Sequence, residues 1–272
     1  MSEAKVGAKA CISGFMSWGD WKLELTGRVL VLVAHADDEC VGFGALLTRM
    51  REACVVIATD GAPRDEYFWR RFGSRDAYRK LRAEEGRRAM QRAGVREPVL
   101  LAEADGRLED QHLFLNLEAA YRQLEALTER VRPEAIATLA YEGGHPDHDS
   151  CSLLGWRLGE RFGVPVWEAP LYSRGGAGEM RLQRFLCETG EEVAIKVSEA
   201  ELGRKRAMCA EYASQGDFLQ TFDAQCEVVR RQVRYEYGEA PHEGKTNYEL
   251  WQWWMSAREV SAKFAEFVKA AR

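Results

Sequence analysis

Residues 28–39 read RVLVLVAHADDE. Arg28 to Ala34 form a continuous apolar, β-branched run, the pattern of a strand buried on both faces rather than one that alternates between core and water. Beyond it, polar residues and two glycines (Gly42, Gly44) give way to apolar residues at helical spacing, so the strand is expected to end in a short turn at a helix start. That βα unit recurs along the chain. ACVVIATDG (53–61) reads as a second strand and turn, and the helix of 74–95 opens on Ser74 and closes near Gly94. PVLLAEADG (98–106) is expected to be a third strand, 115–131 a third helix, PEAIATLA (133–140) a fourth strand, 149–163 a fourth helix and VPVWEAPLY (164–172) a fifth strand. Strands alternating with helices of this length predict a Rossmann-like, three-layer α/β/α fold with a mostly parallel sheet and right-handed crossovers.

After Tyr172 the order changes to a glycine-rich loop (SRGGAGEM, 173–180), two strands around 184–187 and 193–197, and then helical sequence. No tandem repeat or low-complexity linker separates the two parts. Residues 1–272 are therefore read as one domain, with 173–272 as a C-terminal elaboration. Trp251, Trp253 and Trp254 are read as core or helix-packing material.

Composition narrows the function. The 38 Lys and Arg against 43 Asp and Glu give a formal charge of −5, without the basic excess of a phosphate-backbone binder, so no nucleic-acid partner is expected. Seven cysteines, an odd number without C-x-x-C spacing, suggest neither a disulfide framework nor a zinc knuckle. The N-terminus contains no uninterrupted apolar segment, and nowhere does an apolar run reach the roughly 18 residues of a spanning helix. A cytoplasmic, unexported protein with no membrane insertion is expected.

In parallel sheets the ligand site lies beyond the carboxyl ends of the strands. The turn after the first strand holds His35, Asp37 and Asp38; the turn after the fourth holds His145, Asp147 and His148. Three carboxylates and three imidazoles at buried strand ends lose several kcal/mol on leaving water unless something pairs with them, and a cation removes the conflict. His35 and Asp38, three residues apart at a helix opening, converge on one point, and His148 approaches from the neighbouring turn. Two imidazoles and one carboxylate make the open three-ligand set of a catalytic zinc site. A metal there brings bound water to a pKa near ~7 and polarises a carbonyl, as hydrolysis of an unactivated amide requires. Asp37 is the candidate general base. His145, held by Asp147, is the candidate oxyanion stabiliser or proton donor, with a supporting hydrogen bond as its plainer role. Cys40 and Cys151 lie inside the following helices, where a small buried hydrophobe is the usual part. His112 and His242 sit in loops without a partner motif and are read as structural or exposed, His242 in a loop over the pocket.

The pair AHADDE (34–39) and GGHPDH (143–148) resembles the PIG-L/LmbE family of zinc-dependent deacetylases, which act on N-acetylglucosaminyl groups. Ala36 stands where the family's A-H-P-D-D-E has proline. The resemblance extends to TDG (59–61), Arg82 and Glu85 as R-x-x-E, DG (105–106) and SQ (214–215). It implies an LmbE-like fold, Zn2+ as cofactor with another divalent metal such as Fe2+ as the substitute, and His35, Asp38 and His148 as ligands. By the same resemblance Asp37 is the base, His145 the oxyanion or acid group, and Arg82 and Asp105 hold sugar hydroxyls. The expected substrate is an N-acetylated amino sugar, free or in a glycoconjugate, and a homo-oligomer fits the family. A thiol-conjugate amide or longer N-acyl group is the alternative substrate, and a non-catalytic metal or sugar binder the alternative class. A dinucleotide-binding oxidoreductase is disfavoured because Gly42-Phe43-Gly44 lacks a third glycine and follows an acidic cluster.

Overall fold

The computed structural model describes residues 21–174 and 178–270. The N-terminal stretch read above and part of the glycine-rich loop, residues 175–177, lie outside them. In chain order the elements are α1 (Trp21–Thr26), β1 (Arg28–Val33), α2 (Asp38–Leu47), β2 (Glu52–Ile57), α3 (Arg75–Ala93), β3 (Val99–Leu100), α4 (Leu101–Ala104), α5 (Leu117–Val131), β4 (Ala135–Leu139), α6 (Pro146–Phe162) and β5 (Val166–Ala169). There follow β6 (Tyr172–Arg174), β7 (Met180–Leu182), β8 (Val193–Ala194), α7 (Glu199–Glu211), α8 (Gly216–Leu219), β9 (Val228–Arg231), α9 (Asn247–Leu250) and α10 (Ala257–Ala270).

The main sheet runs β3-β2-β1-β4-β5-β9-β8, parallel from β3 to β5 and antiparallel where β9 joins β5 and β8 joins β9. β1 is central, and because successive strand residues point to opposite faces it feeds both cores. Val29, Val31 and Val33 pack with Phe43, Leu46, Met90 and Met208 of α2, α3 and α7. Leu30 and Leu32 pack with Leu124, Leu154, Leu158 and Phe264 of α5, α6 and α10. This is the three-layer, mostly parallel α/β architecture the sequence predicts.

Helix ends follow their caps. Ser74 accepts from the Ala77 N–H (3.1 Å) to start α3, and Gly94, at φ 74°, ends it in the left-handed conformation. Two expectations change. The third strand stops at Leu100, because Leu101–Ala104 is made of strong helix formers at the sheet edge, where a single neighbour offers little to hold an extended chain. The strand expected around 184–187 is absent; the pairing partner of β6 is Met180–Leu182 instead.

The C-terminal elaboration is woven into the sheet through β8 and β9 and also grips α2. Lys205 of α7, fully buried, donates to the Val41 carbonyl (3.1 Å) and to Glu227 (2.8 Å), while Glu227 accepts from the Ala45 and Leu46 N–H groups. The ion pair thus inserts into the hydrogen-bond ladder of α2. Removing one partner of such a buried pair costs about 3–5 kcal/mol. No helix of the described residues is long and apolar enough to cross a membrane.

Candidate metal centre

At the carboxyl end of β1 the chain turns sharply into α2. His35 folds back so that its N–H donates to Asp38 Oδ2 (2.8 Å), and its Nδ1 lies 3.5 Å from the same oxygen. Asp37 sits at the N-cap with φ 137°, a conformation strained for any residue but glycine. Two neighbours hold it there. The Asp37 N–H donates to Glu39 Oε2 (3.1 Å), and Glu39 is anchored by a short hydrogen bond from the Tyr212 hydroxyl at the end of α7. On the other side the Arg82 guanidinium, buried in α3, donates to the Ala36 carbonyl (2.9 Å) and lies 3.5 Å from Asp37 Oδ1. Burial, only partly offset by Arg82, pushes the Asp37 carboxyl up to about 7.

At the end of β4 the turn 142–145 leads into α6, with His145 as N-cap and Pro146 in the first turn. Asp149 accepts from the Glu142 and Gly143 N–H groups (3.1 and 3.0 Å) and shapes the turn. Gly144 is required by close approach: a Cβ there would stand 1.9 Å from the Tyr172 carbonyl oxygen. The C-terminal region braces this turn from outside, with the Asn247 N–H donating to the Gly143 carbonyl (2.9 Å). His145 Nδ1 accepts the Asp147 N–H (3.1 Å), so in the neutral ring the proton is on Nε2. Asp147 therefore holds His145 through its backbone. Its carboxylate does other work, accepting from the Gln111 N–H (2.6 Å) and the Leu113 N–H (3.1 Å) and lying 3.3 Å from His35 Nε2.

The two turns meet. His148 Nε2 stands 3.2 Å from Asp38 Oδ1, joining the β4 end to the β1 end, and ring nitrogens of His35, His145 and His148 lie within 4.8 Å of one another. His35, Asp110, His145 and Asp147 form a second such group. Burial alone would lower the His35 imidazole, but the facing carboxylates of Asp110, Asp147 and Asp38 lift it well above its ordinary value. Burial lowers His148 despite Asp38, keeping it neutral and free to ligate. Asp38 goes the other way: burial opposes ionisation, yet His148 and His35 hold the carboxyl well below its usual range. Two buried atoms here, His148 Nε2 and Asp110 Oδ1, make no hydrogen bond. Buried imidazole atoms, joined in the second group by carboxylates, lie within 4.8 Å of one another in each of the two groups and fit a divalent cation.

All these residues open into one cavity of about 1810 Å³. His35, Asp37, Asp38, His145, His148 and Arg82 line it, and Asp147 lies directly behind. Asp105 is not brought in. Its carboxylate is held by the Arg107 guanidinium (2.9 and 2.6 Å) while Gly106 and Arg107 face the cavity. The acid that does face it is Asp110, whose Oδ1 is 3.4 Å from both His35 Nε2 and His145 Nε2. Sequence reasoning passed over Asp110; the only signal was TDG, since Asp60 accepts the Asp110 N–H (3.0 Å). Glu85 and Ser214 from two weak motifs also meet, the hydroxyl donating to the carboxylate at 2.6 Å.

Two of the tryptophans depart from expectation. Trp251, Trp253 and Trp254 all line the cavity: Trp253 still packs against the core as expected and is edge-on to His145 (4.9 Å), whereas Trp251 and Trp254 are exposed, Trp254 against His112 (4.7 Å). His112 is buried, and His242 lies against Gly143, at the back of the β4 turn. Cys40 and Cys151 are buried in α2 and α6, as a packing role requires.

Residues 30–158 match the model of the family described as PIG-L, GlcNAc-PI de-N-acetylase. No curated protein sequence matches the chain. Among solved structures it is similar to the zinc-inhibited form of teicoplanin deacetylase, at 16% identity over 75% of this chain and 97% of that one, with a TM-score of 0.58. It is similar also to the A40926 pseudoaglycone deacetylase, at 18% identity over 76% and 97%, with a TM-score of 0.55. A third is the 4-carboxy-2-hydroxymuconate hydratase of Pseudomonas putida KT2440, at 15% identity over 77% and 96%, with a TM-score of 0.50. At these identities the likeness gives the fold, and the presence of a hydratase shows that the fold does not by itself select the reaction.

Proposed function

We propose that this chain, whose residues 30–158 match the PIG-L family model, is a metal-dependent N-deacetylase that frees the amine of an N-acetylglucosamine-containing small molecule or glycoconjugate. The observation that carries this reading is the meeting of the β1 and β4 turns in one cavity, with His148 and Asp38 3.2 Å apart. His35, Asp38 and His148 would hold the cation; zinc suits this donor set, with Fe2+ as the substitute. When bound, such a cation supplies an acidified water and a polarised amide carbonyl.

The chain's own residues handle the protons. Asp37, turned away from Asp38 by its backbone, takes a proton from the attacking water and returns it to the amine as the C–N bond breaks. Arg82 and the Glu39–Tyr212 pair keep Asp37 in that strained position. His145 presents its Nε2–H to the developing oxyanion, and the Asp147 N–H at Nδ1 fixes that tautomer. Asp110 Oδ1, buried and without a hydrogen bond, is an acceptor for a substrate hydroxyl.

A larger N-acyl group or a thiol-conjugate amide is the second reading, favoured by a cavity well beyond the ~300–1,000 Å³ of ordinary ligand sites. The test is amine release from N-acetylglucosamine and longer N-acyl glucosamines by protein stripped of metal and then reloaded with one Zn2+ or Fe2+. Release that returns with one equivalent of metal supports the reading. Equal release by the stripped protein would refute it.

A further inference from the structure

The seven large hydrophobic side chains exposed among the described residues are not scattered. Tyr67, Phe218, Trp251 and Trp254, 38–67% exposed, all line the cavity that holds the His/Asp cluster. Single exposed hydrophobics are ordinary, but a concentration of aromatic rings around one opening marks a binding surface. Two arginines share that lining. Arg70 and Arg71 follow Tyr67 in the loop between β2 and α3, and neither has a carboxylate partner among the described residues. Other arginines of the same lining are neutralised, Arg64 by Glu109 (2.6 Å) and Arg107 by Asp105 (2.6 Å). Arg71 is also aimed: it donates to the Ser214 carbonyl (2.9 Å), and its guanidinium lies 4.8 Å from the Phe72 ring. In a chain of net charge −5, two unpaired cations beside four aromatic rings are a local feature with a local purpose.

We propose that this rim is a subsite for the group attached to the reacting amino sugar, and that this group carries both a ring and an acid. The inference rests on the deacetylase reading and names its substrate class. The acetylated nitrogen must reach the His/Asp cluster, and one monosaccharide fills only a fraction of the cavity, so the remainder of the substrate extends along the rim. Aromatic side chains offer ring faces for stacking, and arginine offers a planar fork for carboxylate or phosphate. A long neutral N-acyl chain would leave both guanidinium groups without a counter-charge. A bilayer would meet a convex face, whereas these residues line a concavity.

The test uses methyl, phenyl and 4-carboxyphenyl N-acetylglucosaminides, with affinity measured by calorimetry on metal-free protein and amine release on metal-loaded protein. The expected order is 4-carboxyphenyl over phenyl over methyl, each step about fivefold or more in Kd and kcat/KM. In the Arg70→Ala/Arg71→Ala double variant the carboxyphenyl-to-phenyl ratio falls to about 1, and in Trp251→Ala/Trp254→Ala the phenyl-to-methyl ratio does. Graded affinity without amine release upholds the subsite and refutes the deacetylase reading. Equal affinity for the three glycosides overturns the subsite, as does tighter binding of N-octanoylglucosamine or of phosphatidylserine vesicles than of the carboxyphenyl glycoside.

Discussion

The strand-end cluster and the rim of the same cavity are built in different ways. The cluster comes from two short segments, 35–38 and 145–148, each fixed by a strand end, a tight turn and the first turn of a helix. The geometry within each segment is local, β1 beside β4 brings the two together, and Asp110, from the loop between α4 and α5, joins them against His35 and His145. The rim draws Tyr67 and Arg70 from the loop after β2, Phe218 from α8 and the tryptophans from beyond α9. Near neighbours hold Tyr67, through Asp65, and Trp251, through Asn247, but only the fold brings the three segments to one opening. On the proposed function, the reacting groups sit on the rigid scaffold, and the proposed subsite sits on connections that can vary without disturbing the sheet.

The sharpest way to break this comparison is His148→Ala. It removes the one imidazole that reaches from the β4 turn to Asp38, and metal content by mass spectrometry should fall below about a tenth of an equivalent, with amine release down at least about a thousandfold. Retained metal would mean that the two turns do not share a cation. Gly144→Ala tests the turn itself. With a Cβ 1.9 Å from the Tyr172 carbonyl, β4's turn must shift, and denaturant unfolding should show a loss of about 3 kcal/mol. Asp110→Ala against Asp105→Ala sharpens the boundary between cluster and surroundings. The first should lower kcat/KM about tenfold or more, and the second, whose carboxylate only meets Arg107, should leave it within about twofold.

A pH slope tests the packing behind the site rather than its chemistry. Glu142, buried behind the β4 turn and accepting the Leu186 N–H (2.6 Å), is pushed by burial up to about 8. Between its ordinary value of 4.5 and about 8 the native carboxyl stays protonated while the unfolded one ionises, so unfolding releases a proton. Stability should therefore fall as pH rises through that window, by up to about 1.4 kcal/mol per pH unit from this group. Glu142→Gln should flatten the fall, and an unchanged slope in thermal melts at pH 5, 6 and 7 would remove the assignment.

How far the sequence could be read follows the same division. The unbroken apolar run at 28–34 and its recurrences carry the parallel sheet, since a strand buried on both faces leaves no other pattern. His35, Asp38, His145 and His148 were legible because two compact motifs must lie at strand ends. Asp110 was not, because it is placed by donating its own N–H to the carboxylate of Asp60, fifty residues earlier. Asp105 stood in a better motif but is neutralised by a neighbour two residues away. The tryptophans read as core because aromatic clusters usually are; only the fold, by bringing 251–254 over His145, turns them toward a cavity. The third strand shortened because an edge position could not overcome the helix propensity of Leu101–Ala104.

The central claim is that the two turns make one metal-dependent hydrolytic site in which Asp37 moves the proton. The most direct test is Asp37→Asn, measured for bound metal and for amine release from N-acetylglucosamine glycosides in the same preparation. The predicted result is about one metal per chain, as in the parent protein, with kcat lowered by roughly two or more orders of magnitude. Undiminished turnover at full metal occupancy would contradict it.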